Sequence, residues 1–117
     1  MKSLEKRQMS LDETTFEAKA SEILQRLMDN IEDALGDDMD VDMQGGILTL
    51  ELDSGGQYVI NKHAPNKQIW VSSPKSGATH YDYDGDRDTW VSTRGGDDLV
   101  VTLASELKSL TGKDPGM

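Results

Sequence analysis

The stretch that decides the fold is residues 38–62, DMDVDMQGGILTLELDSGGQYVINK. Apolar and polar residues alternate along it with a period of two, which is typical of strands that bury one face. Two turns, Gln44-Gly45-Gly46 and Ser54-Gly55-Gly56, interrupt the alternation. The pattern predicts three antiparallel strands over residues 38–43, 47–53 and 57–62, and it places three leucines on one side of the second strand: Leu48, Leu50 and Leu52.

The same strand signals continue beyond residue 62. They predict three more short strands, over residues 67–73, 79–83 and 89–93. Proline, asparagine and glycine residues lie in the connections, where they favour turns. The central part of the chain therefore reads as a meander of six antiparallel strands.

A helical pattern with a period of 3.6 flanks this meander on each side. The first stripe ends at Gly36, and its apolar residues are Phe16, Ala20, Ile23, Leu24, Leu27, Ile31, Ala34 and Leu35. The second begins at a cap, Asp97 or Asp98, and ends at Gly112; its apolar residues are Leu99, Val100, Leu103, Ala104, Leu107 and Leu110. The fold class predicted is α+β, a two-layer sandwich whose terminal helices pack on one face of an antiparallel sheet.

Composition narrows the class of protein. A chain of 117 residues fits one domain, predicted here for residues 11–112, with a leader at 1–10 and a tail at 113–117. With 22 acidic and 12 basic residues the net charge is −10, which argues against a nucleic-acid partner. No apolar run is long enough to span a membrane. The absence of cysteine excludes disulfides and thiolate metal sites.

The acidic residues are concentrated between positions 29 and 42, where there is no lysine or arginine. Seven carboxylates lie in this segment: Asp29, Glu32, Asp33, Asp37, Asp38, Asp40 and Asp42. Crowded carboxylates repel one another, and a hard cation such as Fe²⁺, Mn²⁺, Ca²⁺ or Mg²⁺ relieves that repulsion. No histidine or cysteine is placed to close a cage, so we expect weak binding at the surface. The alternative is a solvated face that keeps the protein soluble.

Other motifs do not support a classical enzyme. The strings Asp38-Asp40-Asp42 and Asp84-Asp86-Asp88 lack the glycine and glutamate of an EF-hand loop, and the second is predicted to be a hairpin turn. No nucleophile–base set or phosphate loop is present. His63 and His80 are interpreted as surface residues.

The fourth strand raises a question about its polar face. Alternation turns Ile69 and Val71 inward, so Trp70 points outward together with Gln68 and Ser72. An outward tryptophan among amide side chains, including Asn61 on the third strand, has the composition of a recognition hot spot. The alternative is a cross-strand aromatic pair that only stiffens the sheet.

These residues resemble the signature of the frataxin family. The matching motifs are Tyr58-Val-Ile-Asn-Lys62, Pro65-Asn-Lys-Gln-Ile-Trp70, Ser72-Ser-Pro74 and Ser76-Gly77, with further matches at Leu11-Asp-Glu-Thr-Thr-Phe16, Glu32-Asp33 and Trp90-Val91. The resemblance implies iron binding on an acidic ridge and a role in iron–sulfur cluster assembly, as iron donor, as regulator of a cysteine desulfurase bound to a scaffold protein, or as both. Carried over by position, the ridge comprises Glu22, Asp29, Glu32, Asp33, Asp38 and Asp40, and the partner-binding residues are Asn61, Gln68 and Trp70.

The resemblance also leaves alternatives open. His80 stands where the mitochondrial pattern has an arginine used in partner contact, and His63 stands where it has glutamine. We therefore expect His80 to join the partner-binding set with a different contact. The start of the chain has no apolar secretory segment and no persuasive transit peptide, so we expect a bacterial cytoplasmic protein, with the mitochondrial matrix as alternative. A monomer is expected, with iron-driven oligomers. The alternative functions are weak ferroxidase activity with iron storage, and a pure acidic interaction module.

Overall fold

The computed structural model describes residues 12–117. Its elements, in chain order, are helix α1 (Glu13–Leu35), strands β1 (Met39–Gln44), β2 (Ile47–Leu52), β3 (Gln57–His63), β4 (Gln68–Ser73), β5 (Gly77–Asp84) and β6 (Thr89–Ser92), and helix α2 (Leu99–Thr111). The predicted order of helix, six strands and helix is confirmed. The leader predicted for residues 1–10 lies outside the described residues.

Helix α1 begins where the sequence supplies a cap and buries one stripe. The Asp12 carboxylate accepts a hydrogen bond from the backbone N–H of Thr15 at 2.7 Å, which satisfies one free donor of the first turn. Seven of the eight predicted apolar residues are buried. Ala34 is the exception and is exposed, because it lies at the border of the stripe, beside the buried Leu35.

The six strands form one antiparallel sheet in the order in which they occur along the chain. Their inner face is apolar: Leu48, Leu50, Tyr58, Ile60 and Ile69 are fully buried. The clearest departure from the predicted boundaries is β5, which runs over Gly77–Asp84 rather than 79–83, because its backbone continues to pair with β4 as far as Gly77. The predicted turn between β5 and β6 is confirmed by Asp84, whose carboxylate accepts hydrogen bonds from two turn N–H groups.

Helix α2 is capped by Asp98, which settles the two predicted alternatives. Its carboxylate accepts from the Val101 N–H at 3.1 Å and also from the Thr89 hydroxyl, so the cap joins β6 to the helix. Leu99, Leu103 and Leu107 are buried. Leu110, predicted to lie in the stripe, is 36% exposed in the last turn of the helix, beside the end at Gly112.

Both helices cover the same face of the sheet and share one hydrophobic core with it. This confirms the predicted two-layer sandwich and leaves the opposite face of the sheet, called here the outer face, without a covering layer in the described residues. The tail after α2 packs back on the domain, since Pro115 is buried and Met117 contacts the core. No helix among residues 12–117 is long and apolar enough to cross a membrane.

Candidate functional site

The name acidic ridge is used from here on for all eight predicted metal-binding carboxylates, the six that the resemblance implies together with Asp37 and Asp42: Glu22, Asp29, Glu32, Asp33, Asp37, Asp38, Asp40 and Asp42. Those on α1 are exposed to water, as the helical period requires, and so is Asp37 in the turn after it. Asp29 accepts a hydrogen bond from Gln25 at 3.0 Å, which leaves most of its carboxylate accessible. Glu22 lies two helical turns before Asp29 and shares a cleft with Lys19 and Arg26, so its surroundings are of mixed charge.

The first strand divides the remaining ridge residues. Asp40 and Asp42 are exposed on the outer face, because Met39, Val41 and Met43 turn inward to the core. Asp38 precedes the strand and is half-buried, and its Oδ2 lies 2.8 Å from Lys113 Nζ, an ion pair without hydrogen-bond alignment. The close approach and the negative charge of the Asp38 carboxylate raise the pKa of Lys113.

Sequence reasoning missed Lys113 and also missed the acidic neighbours on β2. The strand register places Glu51 directly opposite Asp40, and the backbone N–H of Asp53 donates to the Asp38 carbonyl at 3.0 Å. The hairpin alternation could have located Glu51, since paired strands put opposite residues on one face. Within residues 12–117 no three acidic or histidine side chains converge on a point that would hold a metal ion. The ridge is therefore an open surface of carboxylates.

The outer face brings the predicted partner-binding residues together. The register aligns Ile47, Asn61, Trp70 and His80 in one row across β2, β3, β4 and β5. Ile47 is 40% exposed, and the other three are partly exposed. The predicted orientation of Gln68, Trp70 and Ser72 is confirmed, since Ile69 and Val71 are buried between them.

Trp70 lies between two histidine rings. The His63 ring centroid is 3.6 Å from the indole and the His80 centroid is 4.1 Å from it, each with an interplanar angle of 7°. Sequence reasoning treated the histidines as separate surface residues and missed this stack. The signal was the register, which puts His80 of β5 directly opposite Trp70 and puts His63 of β3 opposite Gln68, diagonal to Trp70, so that a histidine lies on each side of the indole.

The Gln68 amide forms hydrogen bonds within the protein and holds the Trp70 indole in place. The Trp70 Nε1–H donates to Gln68 Oε1 at 2.8 Å, and Gln68 Nε2 donates to Asp82 Oδ1 at 2.9 Å. The oxygen and the nitrogen of the Gln68 amide thus each form a hydrogen bond to another side chain of the outer face. Gln68, predicted to bind a partner, therefore positions the Trp70 indole through this hydrogen bond.

A polar network under α2 ties the β4–β5 hairpin to the helix. The Glu106 carboxylate accepts from the hydroxyls of Tyr58 at 2.7 Å, Ser73 at 2.6 Å and Ser76 at 2.7 Å. Partial burial raises the pKa of Glu106, but these hydrogen bonds outweigh it and leave the pKa below its ordinary value. Burial, with the bond to Glu106, raises the pKa of Tyr58. The network holds the hairpin that carries Trp70 and His80.

An acidic first helix over a six-stranded antiparallel sheet, with an aromatic outer face, is the architecture of a frataxin-like domain. A family model described as a frataxin-like domain matches residues 9–113. This chain belongs to the frataxin family.

Similar proteins come from bacteria and from eukaryotes. The iron–sulfur cluster assembly protein CyaY of Thioalkalivibrio sulfidiphilus is 39% identical over 101 residues, which cover 85% of this chain and 92% of that protein. Mitochondrial frataxin of Arabidopsis thaliana is 40% identical over 108 residues, 88% of this chain but only 57% of that protein.

Solved structures agree with the fold. Frataxin from Psychromonas ingrahamii has a TM-score of 0.79 at 27% identity, covering 89% of this chain and 95% of that one. A trimeric frataxin from Saccharomyces cerevisiae, complexed with ferrous iron, has a TM-score of 0.70 at 38% identity, covering 81% of this chain and 87% of that one.

Proposed function

We propose that this protein binds iron weakly and acts in iron–sulfur cluster assembly, as iron donor to, or regulator of, a cysteine desulfurase–scaffold complex. The observation that carries the proposal is the presence of two exposed surfaces on one domain. One is an open ridge of carboxylates, and the other is an outer face on which Trp70 is stacked between His63 and His80. The names of the similar proteins, an iron–sulfur cluster assembly protein and a frataxin complexed with ferrous iron, support it.

Iron on the ridge is a cargo rather than a resident cofactor. Carboxylate oxygens are hard ligands that suit Fe²⁺ and Fe³⁺, and the exposed residues Asp29, Glu32, Asp33, Asp37, Asp40 and Asp42 supply them. Because these side chains are solvated and do not converge, binding is weak and exchange is fast. Both properties suit a protein that passes iron on. Asp38 contributes less, because Lys113 already pairs with it.

The ridge proposal is tested by paramagnetic broadening in an NMR titration. Fe²⁺ without oxygen, or Mn²⁺, should broaden amide signals between Asp29 and Asp42 before any others. The variant Asp29→Asn/Asp33→Asn should weaken the effect. The matched control Asp86→Asn/Asp97→Asn should not, because its exposed carboxylates lie before and after β6, at the sheet edge opposite β1. Broadening that began around His63 and His80 would refute the ridge as the iron site.

The alternative functions make different predictions. A ferroxidase or storage protein with a di-iron centre needs inward-facing glutamate and histidine residues on neighbouring helices, and α1 and α2 present leucine, isoleucine and phenylalanine on their buried faces. A pure interaction module would bind the desulfurase through the ridge with no affinity for iron. Titrating Fe²⁺ into the isolated protein separates that case, because only the iron-binding protein gives a saturable response.

A further inference from the structure

The three stacked rings on the outer face carry an inference about how this face meets a partner. The stacking direction runs from β3 through β4 to β5, so it lies in the plane of the sheet. The ring planes therefore stand upright on the sheet, and the two imidazoles occupy opposite faces of the indole. What Trp70 presents outward is the edge of its ring.

Three contacts hold this arrangement. The two imidazoles clamp the indole, and the hydrogen bond to Gln68 uses its only donor. The Nδ1 atom of His63 is buried and has no hydrogen-bond partner. Buried polar atoms are normally hydrogen-bonded, but this one is not, so no hydrogen bond of Nδ1 explains the position of the His63 ring. The contact that holds this ring is its stacking on Trp70.

The upright orientation decides which partner groups fit. A lysine, an arginine or another aromatic ring that recognises tryptophan by stacking needs an open ring face, and both faces of Trp70 are closed. The ring edge carries the positive end of the aromatic quadrupole and so attracts neutral acceptors and the π-face of a ring. Anionic groups are disfavoured by Asp82, which accepts a hydrogen bond from Gln68 beside the row, and by the exposed carboxylates on β1 and β2 of the same face, Asp40, Asp42 and Glu51.

We propose that His63 and His80 are positioning residues that hold Trp70 edge-on, so that this face recognises an uncharged protein segment, through backbone carbonyl oxygens or a ring face, rather than a cationic side chain. The inference rests on the proposed function for its partner, the cysteine desulfurase–scaffold complex. The orientation of Trp70 between His63 and His80 concerns this chain alone and does not depend on a partner. The experiment therefore has one arm without a partner and one with it.

The first arm measures access to the faces of Trp70. N-methylnicotinamide, a cationic quencher that stacks on indole, is titrated into the wild type, His63→Ala/His80→Ala and His63→Phe/His80→Phe, with Trp70→Phe as the blank for Trp90. We expect quenching of Trp70 to be several-fold stronger in the alanine variant and to stay at the wild-type level in the phenylalanine variant, which keeps two rings in place. Equal quenching in all three proteins would overturn the clamp.

The second arm measures affinity for the purified desulfurase–scaffold complex. The alanine variant should bind about tenfold more weakly, because a partner must then order a free indole, while the phenylalanine variant should stay within about threefold of the wild type. Unchanged affinity of the alanine variant would overturn the proposal, as would a phenylalanine variant that fails to bind, since the imidazole nitrogens would then be the contacts. A wild type that does not bind the complex would refute the proposed function and leave the quenching result to judge the clamp.

Discussion

At the scale of single residues, the two tryptophans of this chain perform different tasks because they lie on opposite faces of one sheet. Trp90 is 3% exposed and packs edge-to-face against Phe16 and Tyr83, with centroids 6.0 and 5.4 Å away. Trp70 is half-buried, and histidines rather than core residues cover it. Burial in the core makes Trp90 a folding residue, whereas Trp70 is available for recognition.

Truncating each tryptophan should separate stability from binding. Trp90→Ala removes a core ring and should lower the free energy of unfolding by about 3–5 kcal/mol. Trp70→Ala removes two stacked pairs worth about 0.5–1.5 kcal/mol each, so a smaller loss of about 1–3 kcal/mol is expected. Urea unfolding measures both. Trp70→Ala should also cost about 2 kcal/mol or more in binding the desulfurase–scaffold complex, measured by calorimetry. A Trp70 variant less stable than the Trp90 variant would contradict this assignment.

Glu106 gives a prediction about acid. Its pKa in the folded protein is lowered from the ordinary value of 4.5, so its contribution to stability is fully present above that value and is lost as the pH falls through the folded-state pKa. Glu106→Gln should therefore destabilise the protein by about 1–3 kcal/mol at pH 7 and by less at pH 3. Urea unfolding at both pH values measures the difference. Glu32→Gln, at an exposed position, is the control, and equal effects of the two substitutions would rule out the network.

At the scale of elements, the two helices are secured differently. Asp12 satisfies one backbone N–H of α1, whereas Asp98 satisfies one backbone N–H of α2 and accepts from Thr89 of β6. The second helix is also shorter, with 13 residues against 23, so it has fewer contacts to compensate for a lost cap. The Asp98 carboxylate thus both caps α2 and joins it to β6, beside the backbone hydrogen bond from the Ser92 N–H to the Asp97 carbonyl.

Removing the caps should rank the helices. Asp12→Ala should cost about 1 kcal/mol, the usual value for a lost cap, and Asp98→Ala should reach about 2 kcal/mol or more because a second hydrogen bond is lost with it. Thermal unfolding followed by circular dichroism measures both, and Thr89→Val isolates the cross-element bond. If Asp98→Ala cost no more than Asp12→Ala, the bond to Thr89 would contribute nothing to the stability of the domain.

At the scale of the whole molecule, charge is unevenly distributed. Of the 22 acidic residues 14 precede residue 54, and the ridge lies within that part of the chain. Such a surface attracts a basic protein face over several ångströms, and the attraction falls with ionic strength because the Debye length is about 8 Å at physiological salt. We therefore expect the ridge to affect association with a basic partner as well as the proposed binding of iron.

Reversing two ridge charges should abolish desulfurase binding and leave the fold intact. Glu32→Lys/Asp33→Lys changes two exposed side chains on α1, so the melting temperature should change little. Asp86→Lys/Asp97→Lys changes the net charge equally at exposed sites away from the ridge and should retain most of the affinity. Surface plasmon resonance at low and physiological salt measures both variants. Retained binding in the ridge variant would remove the ridge from the interface.

The secondary structure, the layer architecture and the face on which Trp70 lies could all be predicted from the sequence alone. Periodicity located the helices and the six strands, and the alternation around Trp70 assigned its face correctly, because burial of apolar side chains imposes a period on the chain wherever one face meets a core. The order of elements then predicted the two-layer sandwich. Boundaries such as that of β5 were less accurate, since pairing with a neighbouring strand extended it beyond its own apolar residues.

Only the tertiary structure decided which distant residues meet. Lys113 lies next to Asp38, three hydroxyls converge on Glu106, and His63 and His80 close both faces of Trp70. These contacts join residues from separate elements, and the partner that a side chain meets on another element leaves no periodic trace in the sequence. Their positions follow from strand register and helix packing. Contacts between elements therefore determined which ridge carboxylate is paired with a lysine and how the indole is oriented. Residue type and spacing specify neither.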